Sequence, residues 1–510
     1  MNRTVRLGVA TTLAVVCLSL LDVSVFAQKK RKPRRKRAKV TRIVLPSILV
    51  SPQTIVSVNV VPQTSASANN IPSGLRPADG SGRGVTKTAL AGSQVKAPGS
   101  KVIAPTLSGT PAPTLIEAGQ VIISELRLRG PAGAEDEFIE LCNNTDSDII
   151  VESLDATGGW TVALSDGTIT GPIFTIPNGR VIPARGHLLG GNTNGYSLCN
   201  YPGGDGSPII SMAKGPNPVA LAAPCVLNGL NGTFAHTIPD HTWDFDVPDG
   251  AGVALFATTN GLNFTAATRL DAVGFANSPA LYKEGSGISN VVTGNLEHTY
   301  YRDLSSVTPR DTADNASDFL LVGTAPGLQV ARLGAPGPEN LQSPIVNHTT
   351  IAGTLLEPSA SSSSSPNRER NALAIETNAD FGTMLIRRTI TNNTGQPISR
   401  LRFRIINITS FGTPGCSAPT CADLRALTST DEILVGGPAP VFVTGLRLEE
   451  PPDQGGGGAN NSSLSADTIT LLNPILPGES LNIVFKLGVM RTGSFRFFVN
   501  IEALNGSEAL

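Results

Sequence analysis

The stretch that most limits what this chain can fold into is residues 121–167, VIISELRLRGPAGAEDEFIELCNNTDSDIIVESLDATGGWTVALSDG. Its apolar runs are short and separated by clusters of Gly, Asn, Asp and Pro, a pattern of strands between turns. Residues 121–128 are apolar and β-branched, with Glu125 and Arg127 interrupting them. Residues 137–141 form a second run, closed by Asn143, Asn144, Thr145 and Asp146. Asn and Asp side chains bond their own backbone and tolerate left-handed geometry, so this cluster predicts a turn. In the third run Trp160, Val162 and Leu164 share one face by the two-residue period of a strand. That face is expected to be buried, with Trp160, one of 2 tryptophans, a large part of the core.

The same alternation returns towards the C-terminus. Leu401, Phe403 and Ile405 alternate with Arg402 and Arg404. Leu481, Ile483, Phe485, Leu487 and Val489 share a face, as do Phe495, Phe497, Val499 and Ile501. Each set has the period of a half-buried strand. Asn392, Asn393 and Thr394 repeat the Asn-Asn-Thr of residues 143–145. No long amphipathic helix is expected, and residues 422–430 (ADLRALTST) would make at most one or two helical turns.

At 510 residues there is room for two to four domains. Only 15% of residues are charged, while Gly (53) and Pro (38) are plentiful, which suits an all-β extracellular chain. Residues 1–27 read as a signal peptide: Arg3 and Arg6, an apolar run over 7–21, then Val25-Phe26-Ala27 as a small-x-small cleavage site. A spanning helix would need about 18 or more apolar residues. The basic arm KKRKPRRKR runs from Lys29 to Arg37. Like charges packed this densely repel and stay disordered. Behind a signal peptide, the arm is expected to meet an anionic surface such as lipid, wall polymer or acidic polysaccharide. No aromatic residue is interleaved for base stacking, so no specific nucleic-acid role is expected. The rest of 28–117 is Ser, Pro, Ala, Gly and Thr-rich and reads as a disordered linker, with weak edge-strand potential at 43–61.

Residues 118–325 resemble the lamin-tail domain, an immunoglobulin-like sandwich. The segments that carry the likeness are VIISEL (121–126), DEFIELCNNTD (136–146), GWTVALSDG (159–167) and IPNGRVIPARGHLLG (176–190). TRLDAVGF (268–275), TYYRD (299–303) and DTADNASDF (311–319) look like the end of a bacterial domain of this kind. Cys142 stands where an aromatic is more usual, and an insertion near 192–245 lengthens the domain. The resemblance implies a scaffold without catalytic residues; such domains often accompany extracellular phosphoesterases and nucleases. Residues 326–370 read as a second linker and 371–510 as a second β-sandwich.

The candidate chemistry is sparse. Cys416 and Cys421 bracket a short loop, and Cys199 and Cys225 lie in Gly/Pro-rich loops of the insertion; in an oxidising compartment each pair is a candidate disulfide. Cys142 is then the free thiol, at the end of a buried strand. Asp240, Asp244 and Asp246, beside His236, His241 and Asp249, are oxygen donors dense enough for Ca²⁺, as are Asp311, Asp314 and Asp318 with Asn315. Neither spacing matches a standard loop, and solvated turn acids are the expected reading of both. Glu125, Glu137 and Glu140 would serve glycoside chemistry only as a pair facing one cleft about 5–10 Å apart. There is no GxSxG elbow, HExxH, phosphate loop or dinucleotide fingerprint. No catalytic residue and no cofactor is therefore expected.

The chain is expected to be all-β, two immunoglobulin-like sandwiches behind a signal peptide and a basic, Pro/Ser-rich region. It is expected to act as a secreted, periplasmic or cell-surface binding or scaffolding protein meeting a protein or polysaccharide. An accessory module of a hydrolase system and a carbohydrate-binding adhesin are the alternatives. The Arg387, Arg402 and Arg404 side chains are one candidate surface for an acidic partner.

Overall fold

The computed structural model describes residues 116–198, 238–305, 308–325, 331–346, 350–413, 420–435, 439–449 and 456–506, all within one compact unit of the chain. The signal peptide, basic arm, first linker, most of the insertion with Cys199, Cys225 and His236, and the loop holding Cys416 lie outside the described residues.

The described residues are all-β, with helix confined to single turns such as Asn315–Asp318. The first half opens with β1 (Val121–Arg127), β2 (Phe138–Asn143), β3 (Ile149–Ile150) and β4 (Gly159–Ser165). There follow β5 (Thr170–Pro177), β6 (Val181–Ile182), β7 (His187–Asn192) and β8 (His241–Trp243). β9 (Gly252–Phe256), β10 (Arg269–Val273), β11 (His298–Arg302), β12 (Phe319–Gly323) and β13 (Arg332–Leu333) complete it. One sheet runs β13-β12-β11-β1-β2-β7-β8, the other β10-β9-β4-β5. Trp160, Val162 and Leu164 enter the core between them, with Ile123, Leu141, Leu188 and Trp243. The expected buried face is therefore present, but the rest of β4 is buried too. Ala163 packs with Ala254, Phe256, Ala272 and Tyr282 on the outer side, where residues 280–282 cover the sheet.

The second half comprises β14 (Ile345–Val346), β15 (Ile351–Leu355), β16 (Arg368–Asn371), β17 (Thr383–Asn392), β18 (Ile398–Ile408) and β19 (Asp423–Leu427). β20 (Glu432–Leu434), β21 (Val441–Gly445), β22 (Arg447–Leu448), β23 (Ser463–Ser465), β24 (Ser480–Arg491) and β25 (Phe497–Asn505) follow. Its sheets are β14-β25-β18-β23-β22 and β15-β17-β24-β21-β20, with β16 added to β17 and β19 to β24. Leu401, Phe403, Ile405, Ile483, Phe485 and Leu487 fill the core between them. Residues 423–427, within the stretch 422–430 that could have made at most one or two helical turns, are a strand. Leu424 and Ala426 point into that core, and pairing with β24 overrides the local helix preference. Strands β13 to β16 also fall within residues expected to be linker.

The two Asn-Asn-Thr clusters are the same turn. Asn143 Nδ2 donates to the Ser147 carbonyl at 2.8 Å, and its Oδ1 accepts from Thr145 N at 3.0 Å and Thr145 Oγ1 at 2.8 Å. Asn392 Nδ2 donates to the Gln396 carbonyl at 2.8 Å, and its Oδ1 accepts from Thr394 N at 3.0 Å and Thr394 Oγ1 at 2.7 Å. The strand orders around them match as well, β1-β2-β7 in one half and β15-β17-β24 in the other.

Candidate functional site

The site lies where the two halves meet. A register shift in β1 between Ile123 and Glu125 makes Ser124 an extra residue. Leu126 and Ile139 therefore face the core, while Glu125 and its register partner Glu140 face outwards, alongside His187 of β7. This acidic face is not solvated: Glu125 and Glu140 are 3% exposed and His187 is 7% exposed. It is covered by residues 335–343 (APGPENLQS), a buried strap rather than the expected open linker. The Arg-bearing face of β18 lies against the strap.

β18 holds the strap by its carbonyls. Alternate residues of a strand share a face, and Arg400, Arg402 and Arg404 donate to the carbonyls of Gln342 (3.1 Å), Pro344 (3.4 Å) and Gly337 (3.0 Å) respectively. Gly337 N donates to Glu125 Oε1 at 2.9 Å, and Glu339 N to Glu140 Oε2 at 2.6 Å. Asn461, with φ +62°, donates to Glu125 Oε2 at 3.1 Å and accepts from Arg404 at 3.0 Å. Asn is among the few side chains at home in that left-handed region.

At the centre are the ions. Glu339 is paired with Arg402, with Arg404 at 3.0 Å and with His187 Nε2 at 3.1 Å. His187 Nδ1 lies 3.0 Å from Glu140 Oε1, which also accepts from Ser124 Oγ at 2.5 Å. Glu502 of β25 pairs with Arg402 at 2.6 Å and Arg404 at 3.0 Å. Burial opposes ionisation of Glu502, but Arg402 and Arg404 outweigh it and hold its carboxyl below the usual range. Glu125 behaves oppositely: burial, then Glu140, push its carboxyl up to about 7. These side chains line part of a partly open cavity of about 40 Å³, room for a water or two.

Arg402 and Arg404 thus find acidic partners within the chain, and the candidate basic surface is not formed by them. Arg387 lies on β17, in the other sheet, and pairs with Glu369 at 3.1 Å and with Glu432. Glu125 and Glu140 do come together, but on a covered face. Glu137 points elsewhere, accepting from Asn192 (2.7 Å), Trp243 Nε1 (3.1 Å) and Val247 N (2.8 Å), and burial pushes it up to about 8.

The candidate Ca²⁺ donors are dispersed. Asp240 accepts from Leu189 N at 2.9 Å and Leu341 N at 3.1 Å, tying the strap to the insertion. Asp244 and Asp246 are exposed. Asp314 caps Ser286 N and Ser317 Oγ, both at 2.8 Å. Asp311 and Asp318 lie 3.3 and 3.5 Å from the buried guanidinium of Arg302, which also pairs with Asp271 at 2.9 Å. That acidic cluster already holds a cation, supplied by β11. Among the described residues, the groups whose donor atoms converge for a metal are Glu140, His187 and Glu339, and Asp271, Glu284 and Asp311. Cys142 is a free, buried thiol, as expected, and burial pushes it well above the ordinary thiol range.

Sequence reasoning picked out Arg402, Arg404, Glu125 and Glu140 but missed His187, Glu339, Asn461 and Glu502. Glu339 stands in a Pro/Gly-rich segment that reads as linker. No protein-family model and no curated protein matches this chain.

Proposed function

We propose that this is a secreted or cell-envelope protein that binds or scaffolds, built from a lamin-tail-like, immunoglobulin-like first sandwich and a second sandwich docked upon it. One observation carries the reading. The acids and imidazole that could have formed a reaction centre are paired with Arg402, Arg404 and the strap, so they join the halves into one block. A rigid sandwich offers its loops for recognition. The basic arm from Lys29 to Arg37 then serves as the contact with an anionic surface. The Cys416–Cys421 and Cys199–Cys225 bridges belong to the same reading of an exported chain.

Fractionation of the native host, with mass spectrometry of the N-terminus and of non-reduced peptides, tests export, cleavage after Ala27 and both bridges together. Recovery in the cytoplasm with an intact N-terminus overturns the proposal. A glycan and protein array with the secreted form identifies the partner class. Turnover of phosphodiesters or polysaccharides that is lost in a His241→Ala or Asp244→Ala variant overturns the non-catalytic reading.

A further inference from the structure

Glu140 of β2, His187 of β7 and Glu339 of the strap each bring a donor atom to within 4.8 Å of the other two, and all three residues are buried. Each carboxylate is held from outside. Ser124 Oγ and the Glu339 amide donate to Glu140, while Arg402 and Arg404 pair with Glu339. Carboxylates that ligate metals are oriented by outer donors of this kind. A carboxylate has about four acceptor sites, so these bonds leave others free to face inwards. His187 stands between the two, with Nδ1 3.0 Å from Glu140 Oε1 and Nε2 3.1 Å from Glu339 Oε2. An imidazole with one N–H that donates to one carboxylate sets its other lone pair against the second. A cation accepted at that nitrogen removes the opposition.

Two further observations ask for an occupant. Tyr301 lines the same cavity, and among the described residues its buried hydroxyl has no hydrogen-bond partner. Buried tyrosine hydroxyls ordinarily find one. The joint is also short of positive charge. Arg402 and Arg404 face four carboxyl groups, Glu125, Glu140, Glu339 and Glu502, each at most 3% exposed. The nearby Arg185 and Arg302 are taken by Asp146 and Asp271. Unmatched buried charge is costly. A divalent ion carrying one water supplies both the charge and a partner for the hydroxyl. The cavity of about 40 Å³ admits that much and no substrate, and it is partly open, so an ion can enter. The other convergent group, Asp271, Glu284 and Asp311, already has the Arg302 guanidinium among its carboxylates.

We propose that Glu140, His187 and Glu339 bind one divalent ion of the zinc class, which clamps the strap onto the first sandwich. An imidazole nitrogen among carboxylate oxygens suits Zn²⁺ and its transition-metal neighbours. Ca²⁺ and Mg²⁺ prefer oxygen alone. The ion is structural. It joins two strands of the first sandwich to a strap whose other side is held by β18 of the second. The two apolar cores contain none of its ligands, so each sandwich folds without it and the joint is what it strengthens.

Metal binding to the full chain tests this. The protein is stripped with EDTA and brought to equilibrium dialysis at micromolar Zn²⁺, and the bound metal is counted by elemental mass spectrometry. One ion per chain is expected. X-ray absorption at the zinc edge should show one imidazole and otherwise oxygen around it. His187→Gln should weaken binding by more than about a hundredfold, beyond the loss that follows removal of an outer-shell partner. Absence of bound zinc in the unaltered chain overturns the proposal. So does an ion surrounded by sulfur or by two imidazoles, which places it at the cysteines or at His236 and His241 instead. A folded His187→Gln chain that binds zinc as the unaltered chain does overturns it too. The absorption spectrum is taken on the unaltered chain, so it decides the matter where the variant fails to fold.

Discussion

Asn143 and Asn392 show how much one side chain can fix. Each satisfies its turn with both its amide and its carbonyl, and each is about 1% exposed or less. Replacing either by Ala removes the acceptor of the Thr145 or Thr394 amide and hydroxyl together with the amide donor to the turn, so each variant should lose about 1–3 kcal/mol in chemical denaturation. Both residues also open an Asn-x-Thr sequence. Their Nδ2 atoms are already bonded to the Ser147 and Gln396 carbonyls, so peptide mapping of folded protein from a glycosylating host should find both unmodified. Here sequence and structure agree closely, because an Asx turn is built from local bonds that neighbouring letters specify. The free thiol was equally legible. Cys142 should resist a maleimide in the native state and react once the chain is unfolded in denaturant, which intact-mass analysis would read directly.

At the scale of the element, the strap was the segment most poorly foreseen. Its composition reads as linker because Pro, Gly and small residues are also what a tightly confined chain requires. A Cβ on Gly334 would lie 2.1 Å from the Asn460 carbonyl oxygen and 2.9 Å from the Val322 side chain. Backbone cannot yield there, so Gly334→Ala should lower the melting temperature and speed proteolysis within 335–343. β18 was legible as a strand from its alternation, but not as buried on both faces, since three arginines on one side normally signal solvent. Only the distant Glu339 and Glu502 reverse that reading, and no local pattern announces them. Removing one partner of a buried ion pair costs far more than the pair contributes. Arg404→Met should therefore cost about 3–5 kcal/mol. Asp467→Asn, which breaks the half-exposed pair with Arg447, should cost less than about 1 kcal/mol. Equal losses in the two variants would contradict the assignment of the joint as buried.

Buried acids and histidines spread through both sheets and loops give the whole molecule a pH response. Burial pushes Glu137 and Glu284 up to about 8, Glu125 to about 7 and Asp240 to about 6. Carboxyl groups raised in the native state contribute stability in acid that is lost as pH rises through these values. His241 and His298 are lowered to about 4, chiefly by burial, so their contribution is present above about 6.5 and fades as pH falls towards 4. The melting temperature should therefore climb as pH falls from about 8.5, with the two histidines offsetting part of the gain of the four acids below about 6.5. A scan that rises monotonically with pH would contradict it.

The order in which the joint is made has its own consequence. Glu125, Glu140 and His187 leave the ribosome early, the strap with Glu339 comes later, and Glu502 belongs to β25, the final strand. Until that strand is in place, Arg402 and Arg404 have lost one of their two carboxylates, and β18 lacks its longest neighbour. A chain that stalls, or is clipped before β25, would leave the arginine face of β18 held by the strap but without Glu502. β25 thus completes the charge pairing of β18 after the acidic face and its strap are already made.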